Sequence, residues 1–373
     1  MIGIYGDDER LLNRFTHFAV NVRSLPIILL GPNVSVLRRV ASTFKIKCRK
    51  FDPREIEIDS LVDTSGSSEI LEIVVRDCEN VNYIACSHSV ELESAALKYA
   101  SEAKRKKILI SIGSDLHSTA TESSLENASN RLKVKSSKLS NIQFGVHYQF
   151  HRHTSLYECL GEASSTILTI LDGAKRSLRI ENTKRSIPRR IDSIISSNTQ
   201  KQSYVTHFIP ILRSVQRDNK NSEKKMSFVI SLEKTSPWLI LAVFSCLSSW
   251  IFIFLVSNFE CIHRALKDFV IRCRDSQSNV SSHALVWCHV EMMKSTKREA
   301  SYILDITSPS NFDVKCAVRI AENMLYRLPR RLAGSGALIM KRSGWRTHST
   351  AFGSDFASRL DSVNVVDDGW RGG

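Results

Sequence analysis

The sequence predicts an α/β fold: an N-terminal doubly wound parallel sheet, a second α+β domain, and one long hydrophobic segment. Three observations predict it. Short apolar runs alternate with helix-period segments through residue 112, strand-like runs without regular crossover helices follow, and no charged residue occurs between Thr235 and Phe259. At 373 residues, 42% of them hydrophobic, the chain exceeds the usual ~100–200 residues of one domain, so two domains are expected.

In the first domain, Ile2 to Tyr5 is a strand ending at Gly6. Leu11, Leu12, Phe15, Phe18, Ala19 and Val22 then recur at helical spacing. Pro26 to Leu30 is a continuous apolar strand closed by the turn Gly31-Pro32-Asn33, and Val36, Leu37, Val40, Ala41 and Phe44 mark a second helix. Ile46 to Phe51 is a strand stopped by Asp52-Pro53. A helix around Ile70, Leu71, Ile73 and Val74 leads to the strand Val81 to Cys86. A helix through Ala95, Ala96, Tyr99 and Ala100 leads to the strand Ile108 to Ile112. Such alternation requires crossover connections, hence a parallel sheet with helices on both faces.

Ser114 to Ser140 is rich in Ser, Thr and Asn and reads as a linker, which sets the expected boundaries at 1–118, 119–141 and 142–373. The second domain is expected to be mostly antiparallel, with strands at Ile142 to Phe150, Phe208 to Leu212, Ser227 to Leu232, Ala284 to Val290 and Tyr302 to Ile306. Helices are expected at Leu156 to Leu171 and Val314 to Leu325. The apolar segment 237–257 has the length of a membrane-crossing helix, with Trp238 where an interfacial aromatic belongs and basic residues after it; a buried core element is the alternative. The expected location is therefore membrane-associated with cytoplasmic domains, or else cytoplasmic and soluble. The opening MIGIYGDDER lacks the basic and apolar runs of an export leader.

Lys and Arg outnumber Asp and Glu by 52 to 38, giving +14. That balance favours contact with polyanions in general. The basic run Lys175 to Lys225 lacks interleaved aromatics, so it reads as a solvated face, and no specific nucleic-acid partner is expected. Nine cysteines without a C-x-x-C read as reduced thiols. Cys288 and His289 are adjacent, which on a strand sends them to opposite faces, so no metal is expected there. His147, His151 and His153 would share a face if all lay on one strand, but exposed polar histidines are the expected reading.

A strand, a glycine-led turn and a helix form the start of a Rossmann-like dinucleotide-binding unit, in which small residues let the backbone approach a pyrophosphate. Gly6 ends the strand, but Glu9 and Leu12 stand where further glycines would be. Asp7, Asp8 and Glu9 suit the helix dipole and oppose a phosphate at the same place. At the end of the second strand, where a ribose partner is expected, Gly31 is followed by Pro32, which can neither donate a hydrogen bond nor carry charge.

Taken in order, IGIYG…SLPIILLGPNVSVLRRVAS, VNYIACSHSVELESAALKYASEAKRKKILISIGSD, HYQFHRHTSLYECLGEASSTILTILDG, the apolar stretch before RALKDFVIR, and SGALIMKRSGWRTHSTAFGSDFASRL resemble the saccharopine dehydrogenase-like family, in particular its trans-acting enoyl reductase branch. Asn33 and Leu37 match its second turn, where Pro32 replaces an arginine. Thr350, Ala351, Phe352, Gly353, Arg359 and Leu360 match its closing motif. The resemblance implies an NAD- or NADP-dependent oxidoreductase acting on a lipid-like or amino-acid-derived small molecule. Gly6, Asp7, Asp8, Gly31, Asn33, Asp52, Cys86 and Ser87 would lie at the cofactor crevice. No catalytic acid or base stands out; His88 and Tyr99 are the nearest candidates, and a structural role is the expected one for each. His88-Ser89 replaces the family's Gly-Pro, and its G-F-D-x-x-P-S-D motif has no counterpart here. These departures fall on cofactor- and substrate-facing loops, and they open a second reading: a catalytically inactive, membrane-associated relative acting as a binding or interaction protein.

Overall fold

The computed structural model describes all residues except 79, 87–89, 135–138, 151–152, 175–179, 182–190, 192–203, 207–224, 234–237, 248, 276–281, 293–297, 333–343, 346–354 and 368–373. Ser87, His88, His151, the expected strand Phe208 to Leu212, most of the basic run Lys175 to Lys225, and most of the closing motif lie outside the described residues. The chain divides into two units. One comprises Met1–Asp115 with Asp313–Gly353, the other Leu116–Phe312 with Ser354–Gly373.

The first unit runs β1 (Ile2–Tyr5), α1 (Glu9–His17), β2 (Ile27–Gly31), α2 (Val34–Phe44), β3 (Lys47–Lys50), β4 (Ser60–Asp63), α3 (Ser68–Asp77), β5 (Asn82–Ala85), α4 (Val90–Arg105) and β6 (Leu109–Ser111). These six strands pair in parallel in the order 3-2-1-4-5-6, the Rossmann-like arrangement. The strand pleat divides the core. Leu30, Leu61, Tyr83 and Ile110 pack with Leu71, Val74, Val75, Leu92, Ala96 and Tyr99 of α3 and α4. Ile2, Ile4 and Leu29 point the other way, and Leu12, Phe15, Leu37 and Val40 of α1 and α2 are buried with them.

The second unit holds α5 (Thr121–Arg131), β7 (Leu139–Gln149), α6 (Leu156–Glu162), α7 (Ser164–Ala174), β8 (Ile180–Glu181), β9 (Tyr204–Thr206), β10 (Lys225–Leu232), α8 (Trp238–Leu247), α9 (Trp250–Asn258), α10 (Glu260–Asp275), β11 (His283–Met292) and β12 (Glu299–Thr307). The chain then makes α11 (Phe312–Leu332) and β13 (Gly344–Trp345), which extends the first sheet beside β6. It closes with β14 (Val363–Asp367) in the second sheet. The second sheet has the order 14-12-11-7-10-9-8 and is mixed: β7 and β10 are parallel, and the other neighbours antiparallel.

Two expectations need correction. Residues 119–141 are not a polar connector, because α5 occupies much of that stretch and packs on β11 and β12. Two of its serine hydroxyls are satisfied within the helix: Ser124 Oγ donates to the Ala120 carbonyl at 2.8 Å and Ser129 Oγ to the Leu125 carbonyl at 2.8 Å. That back-bonding lets a serine-rich helix be buried. Arg131 ties it down, donating to the Ser301 carbonyl at 2.7 Å with its guanidinium 4.8 Å above the Tyr302 ring.

The apolar segment 237–257 is likewise not one helix. Ser249 donates its backbone N–H to Cys246 at 2.9 Å, and its hydroxyl accepts from the Phe252 N–H at 3.2 Å, so it ends one turn and caps the next. The resulting α8 and α9 are about 15 and 14 Å long, half the ~30 Å of a bilayer core. Among the described residues no helix is long and apolar enough to cross a membrane. Ile240, Leu247 and Val256 are buried, while Leu239, Ile251 and Phe254 are exposed.

Gly145 on β7 seats the largest buried side chain of the second sheet. Its register partner is Trp287 on β11, and a Cβ at Gly145 would lie 2.2 Å from the indole ring. Gly145→Ala is therefore expected to displace Trp287 and destabilise the protein by about 2–4 kcal/mol. Urea denaturation followed by tryptophan fluorescence checks this.

Candidate functional site

Strand order reverses between β1 and β4, so the crevice beyond their carboxyl ends is where a ligand of such a sheet is expected. Backbone hydrogen bonds line up the strand ends there. Gly6 N–H donates to Leu30 at 3.1 Å, Thr64 N–H to Tyr5 at 2.9 Å, Cys86 N–H to Asp63 at 3.2 Å, and Phe51 N–H to Gly31 at 3.3 Å. Gly6, Gly31, Cys86 and Asp52 (the residue after Phe51) thus stand along one edge.

The two glycines are explained by close approach. A Cβ on Gly31 would lie 2.2 Å from the Gly6 carbonyl oxygen, and one on Gly6 would lie 2.3 Å from Thr64 Oγ1. Thr64 Oγ1 in turn donates to the Tyr5 carbonyl at 3.0 Å. Both positions need glycine for the loops to pack, whatever the crevice holds.

Asp8 is the N-cap of α1. Its Oδ1 accepts from the Arg10 N–H at 2.8 Å and the Leu11 N–H at 3.1 Å, two of the helix's unpaired donors. Glu9 follows in the first turn. Its carboxylate takes both Nε and Nη2 of Arg39 on α2, at 3.0 and 2.6 Å, and that hydrogen bond holds it below the usual carboxylate range. Asp7 is exposed beside them. Asn33 caps α2 in the same manner, its Oδ1 accepting from the Ser35 N–H at 3.2 Å and the Val36 N–H at 3.4 Å. Asp52 Oδ1 accepts from the Arg54 N–H at 3.0 Å. The strand order and small turn residues fit a dinucleotide, but the side chains of the first turn do not: a carboxylate already occupies the amides that a pyrophosphate uses.

The sequence reading overlooked β4 and, with it, a buried carboxylate at this edge. Asp63 accepts from the Ser65 N–H at 2.9 Å and the Ser65 hydroxyl at 2.6 Å on Oδ1, and from the Tyr83 hydroxyl at 2.6 Å on Oδ2. Burial raises its pKa against the pull of these donors, and burial together with the Asp63 charge raises Tyr83. Its partners make it a clamp on the loop after β4. Tyr99 is buried in the α3–α4 core, not at the crevice.

The histidines separate as well. His147 is buried on β7, its Nδ1 2.9 Å from Ser231 Oγ on β10, whereas His153 lies in an exposed turn beyond the strand. His117, outside the sheet, has Nε2 2.7 Å from Thr166 Oγ1, which also meets the Tyr148 hydroxyl at 2.6 Å.

No family model and no curated protein matches this sequence. Among solved structures, the chain is similar to a saccharopine dehydrogenase (L-Glu forming) from Saccharomyces cerevisiae. The TM-score is 0.54 at 8% identity, covering 98% of this chain and 99% of that one. A scyllo-inositol dehydrogenase from Lactobacillus casei gives 0.42 at 9% identity over 98% and 97%. A myo-inositol dehydrogenase from Corynebacterium glutamicum gives 0.39 at 10% identity over 99% and 99%. The first of these likenesses shows a shared fold along the whole chain. It does not reach the enoyl reductase branch.

Burial lowers His117 to about 3 and His147 to about 4. Both stay neutral in the folded state at pH values where the unfolded chain, with a histidine pKa near ~6.5, is protonated. Their contribution is fully present above that value and is lost as pH falls through about 4 and then about 3. Stability should fall by up to about 1.4 kcal/mol per pH unit for each of them on acidification below pH ~6.5. Urea midpoints across a pH series measure this, and His147→Gln should make the slope shallower.

Proposed function

We propose that the chain is a saccharopine dehydrogenase-like oxidoreductase that uses NAD or NADP on a lipid-like or amino-acid-derived small molecule. The observation that carries this reading is the parallel 3-2-1-4-5-6 sheet, within a fold matched end to end by a saccharopine dehydrogenase. The dinucleotide would enter the first unit's crevice at the ends of β1, β2 and β4. Gly6 and Gly31 would offer their backbones, Asn33 and Asp52 would serve as polar partners, and Cys86 and Ser87 would form the wall after β5. Asp7 and Asp8 would have to yield space and charge to the diphosphate.

A second reading rests on its own observation. Asp8 takes two of the first α1 amides and Glu9 is fixed by Arg39, so the turn already carries its own anion. Under this reading the chain keeps the scaffold of a reductase as a non-catalytic binding or interaction protein.

Calorimetric titration of the full chain with NADPH and NADH at low salt separates the two. The oxidoreductase reading expects 1:1 binding with a Kd below ~1 mM, about −4 kcal/mol. It also expects Asp8→Ser, which keeps a capping oxygen but removes the charge, to bind about tenfold more tightly. Absence of binding by both proteins leaves the second reading.

A further inference from the structure

The far end of the β11–β12 hairpin carries a set of side chains unconnected with the dinucleotide crevice. His289 and Glu291 lie two residues apart on β11 and so on one face of the sheet. The antiparallel register sets Ser301 opposite His289 and Glu299 opposite Glu291, which brings all four to that same face. His289 is buried, whereas the side chains of Glu291 and Glu299 are 45% and 65% exposed. Two carboxylates directly opposite one another on neighbouring strands repel, and both turn toward the same imidazole nitrogen.

We infer that His289, Glu291 and Glu299 bind a divalent transition cation, zinc by preference. The geometry supports a common centre. Nε2 of His289 lies 3.5 Å from Glu291 Oε1 and 3.7 Å from Glu299 Oε2, and one ligand atom from each residue falls within 4.8 Å of the others. Zinc with bonds of about 2.0–2.2 Å places tetrahedral ligands about 3.3–3.6 Å apart, so small rotations of two exposed glutamates close the set. The imidazole is already oriented, with its Nδ1 2.9 Å from Ser301 Oγ. With the cation bound, Nδ1–H donates to that hydroxyl and Nε2 turns its lone pair on the ion, the support that metal-bound histidines usually have. One imidazole with two carboxylates suits zinc better than magnesium or calcium, which favour all-oxygen shells. Solvent at the exposed glutamates supplies the fourth ligand as water. The cation joins β11 to β12 and replaces the repulsion between the carboxylates with two attractions.

The test uses the full chain and zinc alone, with binding read by competition against a chromophoric chelator. The expected result is one zinc per chain at this site and a thermal midpoint that rises with zinc, because the three ligands converge only in the folded hairpin. Glu299→Gln alters an exposed position and should raise the zinc Kd at least tenfold. His289→Gln should do the same, and Ser301→Ala should raise it by about tenfold. Cys246 and Cys261 are exposed thiols that can also take up zinc, so cobalt(II) serves as the spectroscopic probe. Visible d–d bands without thiolate charge transfer support the site. Unchanged zinc affinity in Glu299→Gln, a thiolate band with cobalt, or no zinc uptake at ~0.1 mM free metal overturns it. In the last case the three residues form an ion pair only.

Discussion

The carboxylate of Asp8 on the first amides of α1 governs how the first unit's crevice can be used. A helix start presents about half a positive charge and several donors without partners, and any anion placed there is stabilised. In a dinucleotide enzyme the anion is a phosphate. In this chain it is a side chain tethered one bond from the helix, which competes at far higher effective concentration than a free ligand. Glu9 adds a second negative charge within the same turn and is held there by Arg39. The turn therefore combines the backbone path of a phosphate-binding loop with the electrostatics of a self-capped helix.

The glycines of that loop show why a partial motif is ambiguous. Gly6 and Gly31 look like remnants of a phosphate cradle, yet each is required by contact with its neighbour: Gly31 with the Gly6 carbonyl, Gly6 with Thr64. Such contacts arise because β2, β1 and β4 end side by side and their loops turn over one another. Contact between neighbouring loops is by itself enough to call for small residues there.

What can be read from the sequence follows from the same physics. The strands and helices around Ile4, Leu29, Leu37, Tyr83 and Ala96 are legible because their apolar periods are unbroken. The strand β4 is not, because only Leu61 and Val62 are apolar, while Ser60 and Asp63 are buried polar residues satisfied by Met324 and by Tyr83 with Ser65. Helix α5 is hidden by its serines, two of which, Ser124 and Ser129, bond back to the preceding turn. The apolar segment misleads because hydropathy records its length and not the serine cap that divides it. At the crevice, the sequence discloses the carboxylates of the first turn and leaves out Asp63, whose partners come from elsewhere in the chain.

The second sheet repeats one fixture with two outcomes. His147 and His289 each sit opposite a serine on the next strand, and each Nδ1 is 2.9 Å from that serine's oxygen. The difference lies at the other nitrogen. Nε2 of His147 is buried and, among the described residues, meets no hydrogen-bond partner, so the ring is held neutral in the core. Nε2 of His289 faces two glutamates at the end of the hairpin, where solvent and ions can reach them. Neighbours along the sequence cannot separate these cases, since Cys288 beside His289 lies on the opposite face. The residues that matter stand two positions away or across the strand pair, and register alone brings them together.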